Sequence, residues 1–223
     1  EALWLFADMA LGFHSSRPRW KAIDAGGGET YDYDDIWEAG FGPRFQLRLH
    51  YGITRGENTG LTIGPGFFIE NGGYGTEGGT MDITLRDGTE LNPQFMNIGR
   101  VLGTIHGRYL FSRGFFVGTQ IGVGLGFTSE VEIGVTEPGG VETKMILFRR
   151  TQMISYDFNM RIGWRWAWSR FGLGFYFETG LGYVGSPRRG NYSGADPSPI
   201  RINYIGVALF LFEGGWSVLP PAR

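Results

Sequence analysis

The run from Ile36 to Ile53 alternates without a break between two kinds of side chain. Its odd positions are Trp37, Ala39, Phe41, Pro43, Phe45, Leu47, Leu49, Tyr51 and Ile53. Its even positions are Glu38, Gly40, Gly42, Arg44, Gln46, Arg48, His50 and Gly52. A period of two puts these sets on opposite faces of a β-strand. Strands in globular proteins run to about 5–6 residues, so a strand of this length is unusual for a soluble domain.

The pattern recurs. From Ile154 to Trp168 one face carries Ile154, Tyr156, Phe158, Met160, Ile162, Trp164, Trp166 and Trp168, and the other Ser155, Asp157, Asn159, Arg161, Gly163 and Arg165. From Phe171 to Tyr183 an apolar set again opposes a glycine-rich one containing Tyr176 and Glu178. Further strands are expected over Leu3–Phe13, Leu61–Ile69, Arg100–Phe111, Phe115–Phe127 and Ile200–Phe212. In the last, Ile205, Val207, Leu209 and Leu211 oppose Tyr204, Phe210 and Phe212, and the aromatic set is assigned outward. About eight strands emerge, joined alternately by long links (roughly 16–35, 71–99, 129–152 and 186–199) and short ones (54–60, Ser112-Arg113-Gly114 and Ser169-Arg170). Asp87-Gly88 and Pro138-Gly139-Gly140 predict hairpins inside the second and third long links, read as extensions of the barrel strands. Should those links hide one more crossing hairpin, the number becomes ten.

Charge placement gives the sheet its polarity. The apolar face of every assigned strand lacks Asp, Glu, Lys and Arg. The opposite face carries Asp8, Glu38, Glu70, Asp157 and Glu178 against Arg44, Arg48, Arg100, Arg108, Arg161 and Arg165, with His14, His50 and His106 among them. A soluble ligand-binding barrel would turn its apolar face inward and leave no reason for such exclusion. A charge facing lipid costs about 2–4 kcal/mol at the bilayer midplane, so the charge-free face is read as the outside of a closed antiparallel, up-and-down transmembrane β-barrel. Tyr51, Tyr109, Phe111, Trp164, Trp166 and Trp168 cluster toward the short turns as a lower aromatic girdle, with Trp37, Phe127 and Tyr183 at the other end. The 39 glycines, over twice the average share of about 7%, show no collagen period and suit sharply curved strands. Cysteine is absent and the net charge is −2, which excludes a disulfide scaffold and gives no footprint for nucleic acid. The chain opens without a basic n-region, so any signal peptide is expected to have been removed or left out.

With its charge-free outer face and its long and short links in alternation, the chain resembles the small eight-stranded outer-membrane barrels of the OmpA, OmpX and OmpW type. The resemblance is architectural and covers nearly the whole chain. It implies a Gram-negative outer membrane, short turns and both termini in the periplasm, and long loops outside. Such barrels usually end at an aromatic residue of the last strand, a part Phe212 can play. The barrel is therefore assigned to residues 1–213 and a periplasmic tail to 214–223.

A two-residue turn at Ser169-Arg170 sets Arg161 opposite Glu178, both facing inward, and a three-residue turn at 112–114 sets His106 beside Gln120. Glu38, Arg44, Arg48, Arg108, Asp157, Arg161, Arg165 and Glu178 are expected to form a charge network that plugs the lumen, since eight strands leave room for little beyond side chains. A lipid A-modifying enzyme would need a Ser–His–acid set on the lipid face, but His14, His50 and His106 have lumen phase and no nucleophile elbow occurs. Asp32, Asp34 and Asp35 of loop one have oxygen-ligand spacing but no EF-hand pattern, so neither a metal nor a cofactor is expected. Arg188 and Arg189, beside Tyr192, are candidates for contacting lipopolysaccharide phosphates. The expected role is membrane anchor, surface interaction or envelope structure, with lipid, lipopolysaccharide and protein partners met through loops, outer face or tail. A narrow solute channel is the alternative.

Overall fold

The computed structural model describes residues 4–19, 21–26, 29–32, 40–52, 60–74, 83–111, 114–168 and 171–217; for some strand ends, among them Trp168 and 210–217, this means the backbone alone. In chain order the strands are β1 (Trp4–Arg19), β2 (Lys21–Gly26), β3 (Glu29–Asp32), β4 (Gly40–Gly52), β5 (Gly60–Tyr74), β6 (Ile83–Thr84), β7 (Glu90–Pro93) and β8 (Met96–Leu110). They continue with β9 (Phe115–Thr128), β10 (Val131–Thr136), β11 (Glu142–Arg149), β12 (Thr151–Trp168), β13 (Phe171–Val184), β14 (Arg188–Arg189) and β15 (Ile200–Ser217).

The eight long strands close into one antiparallel barrel in the order β1-β15-β13-β12-β9-β8-β5-β4. The number is eight, not ten. Each strand pairs with its neighbour along the chain, and β1 closes the ring against β15. Burial alternates along the strands as the period of two requires: in β4 each even position from Gly40 to His50 is buried while Phe41, Pro43, Leu47, Leu49 and Tyr51 are exposed. The turn before β9 depends on Gly114, whose φ of 90° is left-handed and disfavours a side chain.

Two expectations change at β15. Its outward residues are the aliphatic ones, with Ile205 70% and Leu209 59% exposed, while Tyr204 is buried at 2%. Tyr204 belongs inside because its hydroxyl donates to the Asp157 carboxylate at 2.9 Å. A register shift against β1 follows, where Met9 pairs with Phe212 and Ala10 with Phe210 so that Leu211 is skipped. The strand also does not stop at residue 213. Asp8 pairs with Glu213 and Trp4 with Ser217, which carries the ladder four residues into the segment expected to be a tail; 218–223 lie outside the described residues.

The hairpins inside the long links are not independent extensions of the barrel strands. They merge into a five-stranded sheet of order β14-β11-β10-β7-β6, and β2 with β3 forms a separate hairpin. Asp87 and Gly88 make the β6–β7 turn, where Asp87 accepts the Thr89 N–H at 2.9 Å. The joining pairs, such as Val135 with Leu91 on β7 and Phe148 with Arg189 on β14, come from different links. Burial drives the merger: Ile83, Leu91, Val131, Ile133, Val135, Leu147 and Phe148 share one dry core with Met96, Ile98, Met153, Val184, Ile200 and Ile202 from the barrel's own rim. The long-link end is thereby capped.

Candidate functional site

Below the cap the lumen is filled by paired charges, arranged in three tiers. In the upper tier, Glu70 takes the guanidinium groups of Arg44 (Nε at 2.7 Å) and Arg100, and Arg100 also reaches Asp157 at 3.0 Å. Asp157 accepts further bonds from Tyr204 and, at 3.0 Å, from Asn159. In the middle tier, Glu178 receives Arg44 Nη1 at 3.1 Å, Arg161 Nε at 3.3 Å and Gln46 Nε2 at 3.3 Å, while Arg161 donates to Gln46 Oε1 at 2.7 Å and to Gln120. In the lower tier, Asp8 holds Arg48 Nε at 2.7 Å, His50 Nε2 at 2.6 Å and Arg108 at 3.7 Å.

Each of these acids meets more than one donor, and that multiplicity makes burial tolerable. Desolvating an ion costs several kcal/mol and is recovered only when the remaining lone pairs and protons find partners. Rings share the load: the Arg44 guanidinium lies 4.1 Å over Tyr204 and 4.7 Å over Phe68, and Arg48 and Arg161 flank Tyr176 at 5.1 and 5.3 Å. Glycine makes room for the long side chains. A Cβ on Gly182 would collide with the Arg100 guanidinium, and one on Gly66 would come within 3.0 Å of Arg48 Cγ.

The register places Arg161 opposite Glu178 and His106 opposite Gln120, as the turn lengths require. Arg44, Arg48, Arg108, Asp157, Arg161 and Glu178 all sit buried in the lumen, Arg165 is half-buried toward the short turns, and Glu38 lies outside the described residues. Asp8, His50 and Thr62 form an acid–imidazole–hydroxyl chain, with His50 Nδ1 3.0 Å from Thr62 Oγ1. The void beside it, lined by Arg48, His50, His106, Arg108, Phe116 and Arg161, measures about 10 Å³. That is room for about one water molecule. His14 is buried in the lumen while Ser15 faces outward, so they form no catalytic pair.

No protein-family model matches the chain, and no curated protein does. Among solved structures it is similar to the outer membrane protease OmpT from Escherichia coli, at 12% identity over 96% of this chain and 97% of that one, with a TM-score of 0.50. It is also similar to Ail, the attachment invasion locus protein of Yersinia pestis (10% identity, 93% and 97% covered, TM-score 0.41), and to the outer membrane protein OprG from Pseudomonas aeruginosa (8%, 97% and 96%, 0.39). At such identities the likeness is one of fold, and that fold is a closed barrel with its apolar side outward. The chain has the fold of a small outer-membrane β-barrel.

The outer face of the barrel carries two aromatic bands. Toward the short turns, Tyr109, Phe111, Phe115 and Trp164 follow one another at centroid distances of 4.7, 5.3 and 6.5 Å, Trp166 lies 6.0 Å from Phe175, and Tyr51 is exposed on β4. Trp168 has its backbone in β12, and its side chain lies outside the description. Toward the cap, Phe13 stacks on Phe41 at 5.6 Å and Tyr156 lies 5.9 Å from Tyr183, with Phe127 exposed nearby; Trp37 falls outside the described residues. Such bands sit at membrane–water interfaces. The outward threonines are satisfied locally, Thr119 donating to the Asn159 carbonyl and Thr179 to that of Tyr204.

Arg188 and Arg189 are exposed in the cap, and Arg189 lines a cleft with the half-buried Tyr192. Of the loop-one aspartates, Asp32 pairs with Lys21 across the β2–β3 hairpin, and Asp34 and Asp35 lie outside the described residues. Sequence reasoning missed Tyr204, Phe68 and Phe116 as lumen residues. For Tyr204 a signal existed: Gly206 and Ala208 on the same face are small, as lumen positions facing bulky neighbours tend to be. It also missed Arg149 as the neighbour of Arg188, because the β11–β14 pairing joins distant segments.

Proposed function

We propose that this outer-membrane barrel is a non-conducting, non-enzymatic platform that anchors its long-loop cap at the cell surface, with the short turns and both termini in the periplasm. The observation that carries this reading is the double closure of the lumen. The apolar cap core lies above, and three tiers of cross-braced charges lie below, with Ala10, Phe116, Tyr176, Ala208 and Leu110 forming a further apolar layer toward the short turns. A solute path would have to break both kinds of seal. Binding groups presented on loops over a rigid scaffold are a common division of labour, and here the loops are themselves folded into a sheet. Lipid and lipopolysaccharide surround the barrel, and protein partners would meet the cap.

Liposome swelling tests the reading. Vesicles carrying the protein should swell in small sugars and amino acids no faster than protein-free vesicles; swelling comparable to that of a small porin defeats the platform reading in favour of a channel.

A further inference from the structure

Arg149 ends β11 and Arg188 opens β14, and the register sets them directly opposite each other. Like charges so placed repel, yet the backbone is fixed to hold them: the Thr151 hydroxyl donates to the Arg149 carbonyl at 2.8 Å and accepts the Arg188 N–H at 3.1 Å. Arg150 and Arg189 adjoin the pair in sequence, Arg189 on the opposite face of the edge strand β14 because it pairs with Phe148, and all four side chains are exposed. None of the four stands within ion-pair reach of a carboxylate among the described residues. Arg189 also lines a polar cleft of about 560 Å³ where the fourth long link meets β2, together with Asp24, Tyr192, Ser193 and Asp196. The cleft is built rather than incidental, since Asp24 N–H bonds the Gly194 carbonyl at 2.7 Å and Asp196 N–H the Ala22 carbonyl at 2.9 Å.

We propose that the Arg149–Arg188 pair and, around the edge of β14, the Arg189 cleft together bind a phosphorylated oligosaccharide, and that its source is the lipopolysaccharide core of the surrounding leaflet. Guanidinium forks match phosphate oxygens in pairs. Tyr192 lines the cleft, where its ring can pack on a pyranose, and Asp24, Asp196 and Ser193 can accept sugar hydroxyls. A bare phosphate would use only the arginines, and an acyl chain would use none of these groups. Height agrees: Thr151 opens β12, whose outward residues Ile154, Tyr156 and Phe158 are apolar and exposed, so the cluster stands just above the lipid-facing band. The assignment rests on the cap facing outward.

Titration calorimetry of the full-length protein in nanodiscs, with deacylated lipopolysaccharide core oligosaccharide as probe, tests the site. Binding should weaken with salt and fall roughly tenfold when the oligosaccharide is enzymatically dephosphorylated, the worth of one charge-assisted contact. Arg149→Gln combined with Arg188→Gln should reproduce that loss with unchanged heat-modifiable gel migration, and Tyr192→Ala should weaken binding severalfold. Absence of binding by the unaltered protein, or an affinity indifferent to dephosphorylation, overturns the proposal without any variant having to fold. Binding of a sulfated polysaccharide but not of the core oligosaccharide overturns the lipopolysaccharide source. Labelling of Val141→Cys on intact cells reports the outward cap separately, because the chain has no cysteine of its own. A protein that labels outside but does not bind sinks this proposal alone.

Discussion

Arg44 on β4 reaches Glu178 on β13 at 3.1 Å across the lumen, joining residues 134 positions apart in the chain. The same carboxylate holds Arg161 on the adjacent strand, so one glutamate ties three walls of the barrel together. Removing it leaves two buried guanidinium groups short of a counter-charge, which costs about 3–5 kcal/mol when one partner of a buried pair is deleted. Glu178→Leu should lower the unfolding free energy of the refolded barrel, read from urea titration, by that amount, and adding Arg161→Leu should recover part of the loss. Equal stability of Glu178→Leu and the unaltered protein would show that the tier is not structural.

The phase of β15 gives a second test. Leu209 faces outward and pairs with Leu11, while Tyr204 points inward to Asp157. Leu209→Arg should cost about 2–4 kcal/mol if it faces the lipid midplane, and Tyr204→Phe about 1–3 kcal/mol for a buried carboxylate deprived of a donor. Refolding yields and denaturant midpoints in lipid vesicles measure both. A tolerated Leu209→Arg would reverse the assignment.

Gly182 marks where glycine is needed for space. Its added Cβ would displace the Arg100 guanidinium that bridges Glu70 and Asp157, whereas Gly139 at the β10–β11 turn has nothing within 4 Å. Gly182→Ala should destabilise by about 1–3 kcal/mol through overpacking, and Gly139→Ala should be close to neutral by the same denaturation assay.

The cap can be loosened without opening the barrel wall. Phe148 is fully buried in the core that joins the merged sheet to the rim, and its truncation costs about 3–5 kcal/mol. Phe148→Ala should make the segments 83–95 and 131–150 protease-sensitive while the barrel keeps its heat-modifiable migration. Loss of that migration would show that the cap and the wall fold as one unit.

How much of this was legible in the sequence follows from the range of each signal. Alternation is local, so the barrel strands, their turns and the facing of Arg161 and Glu178 could be read residue by residue. The charge-free face fixed which side meets lipid. Beyond residue 200 that signal weakens, because Tyr204 lies opposite an equally apolar Ile205, and the skipped Leu211 changes the phase midway along the strand. The cap was invisible as a unit. Its pairing of Val135 with Leu91 and of Arg149 with Arg188 joins separate links, and no periodicity within either link announces the other. The lumen aromatics Phe68 and Phe116 were hidden for a different reason: they stand on the polar face as ring partners of arginines, and an apolar residue there carries no alternation signal.

The central claim is that the barrel is closed by its own side chains, and planar-bilayer recording tests it most directly. Purified protein inserted into a bilayer in molar salt should give no steady single-channel current, and Glu178→Leu with Arg161→Leu should leave the membrane silent while the cap core remains in place. Stable, reproducible current steps from the unaltered protein would contradict the account.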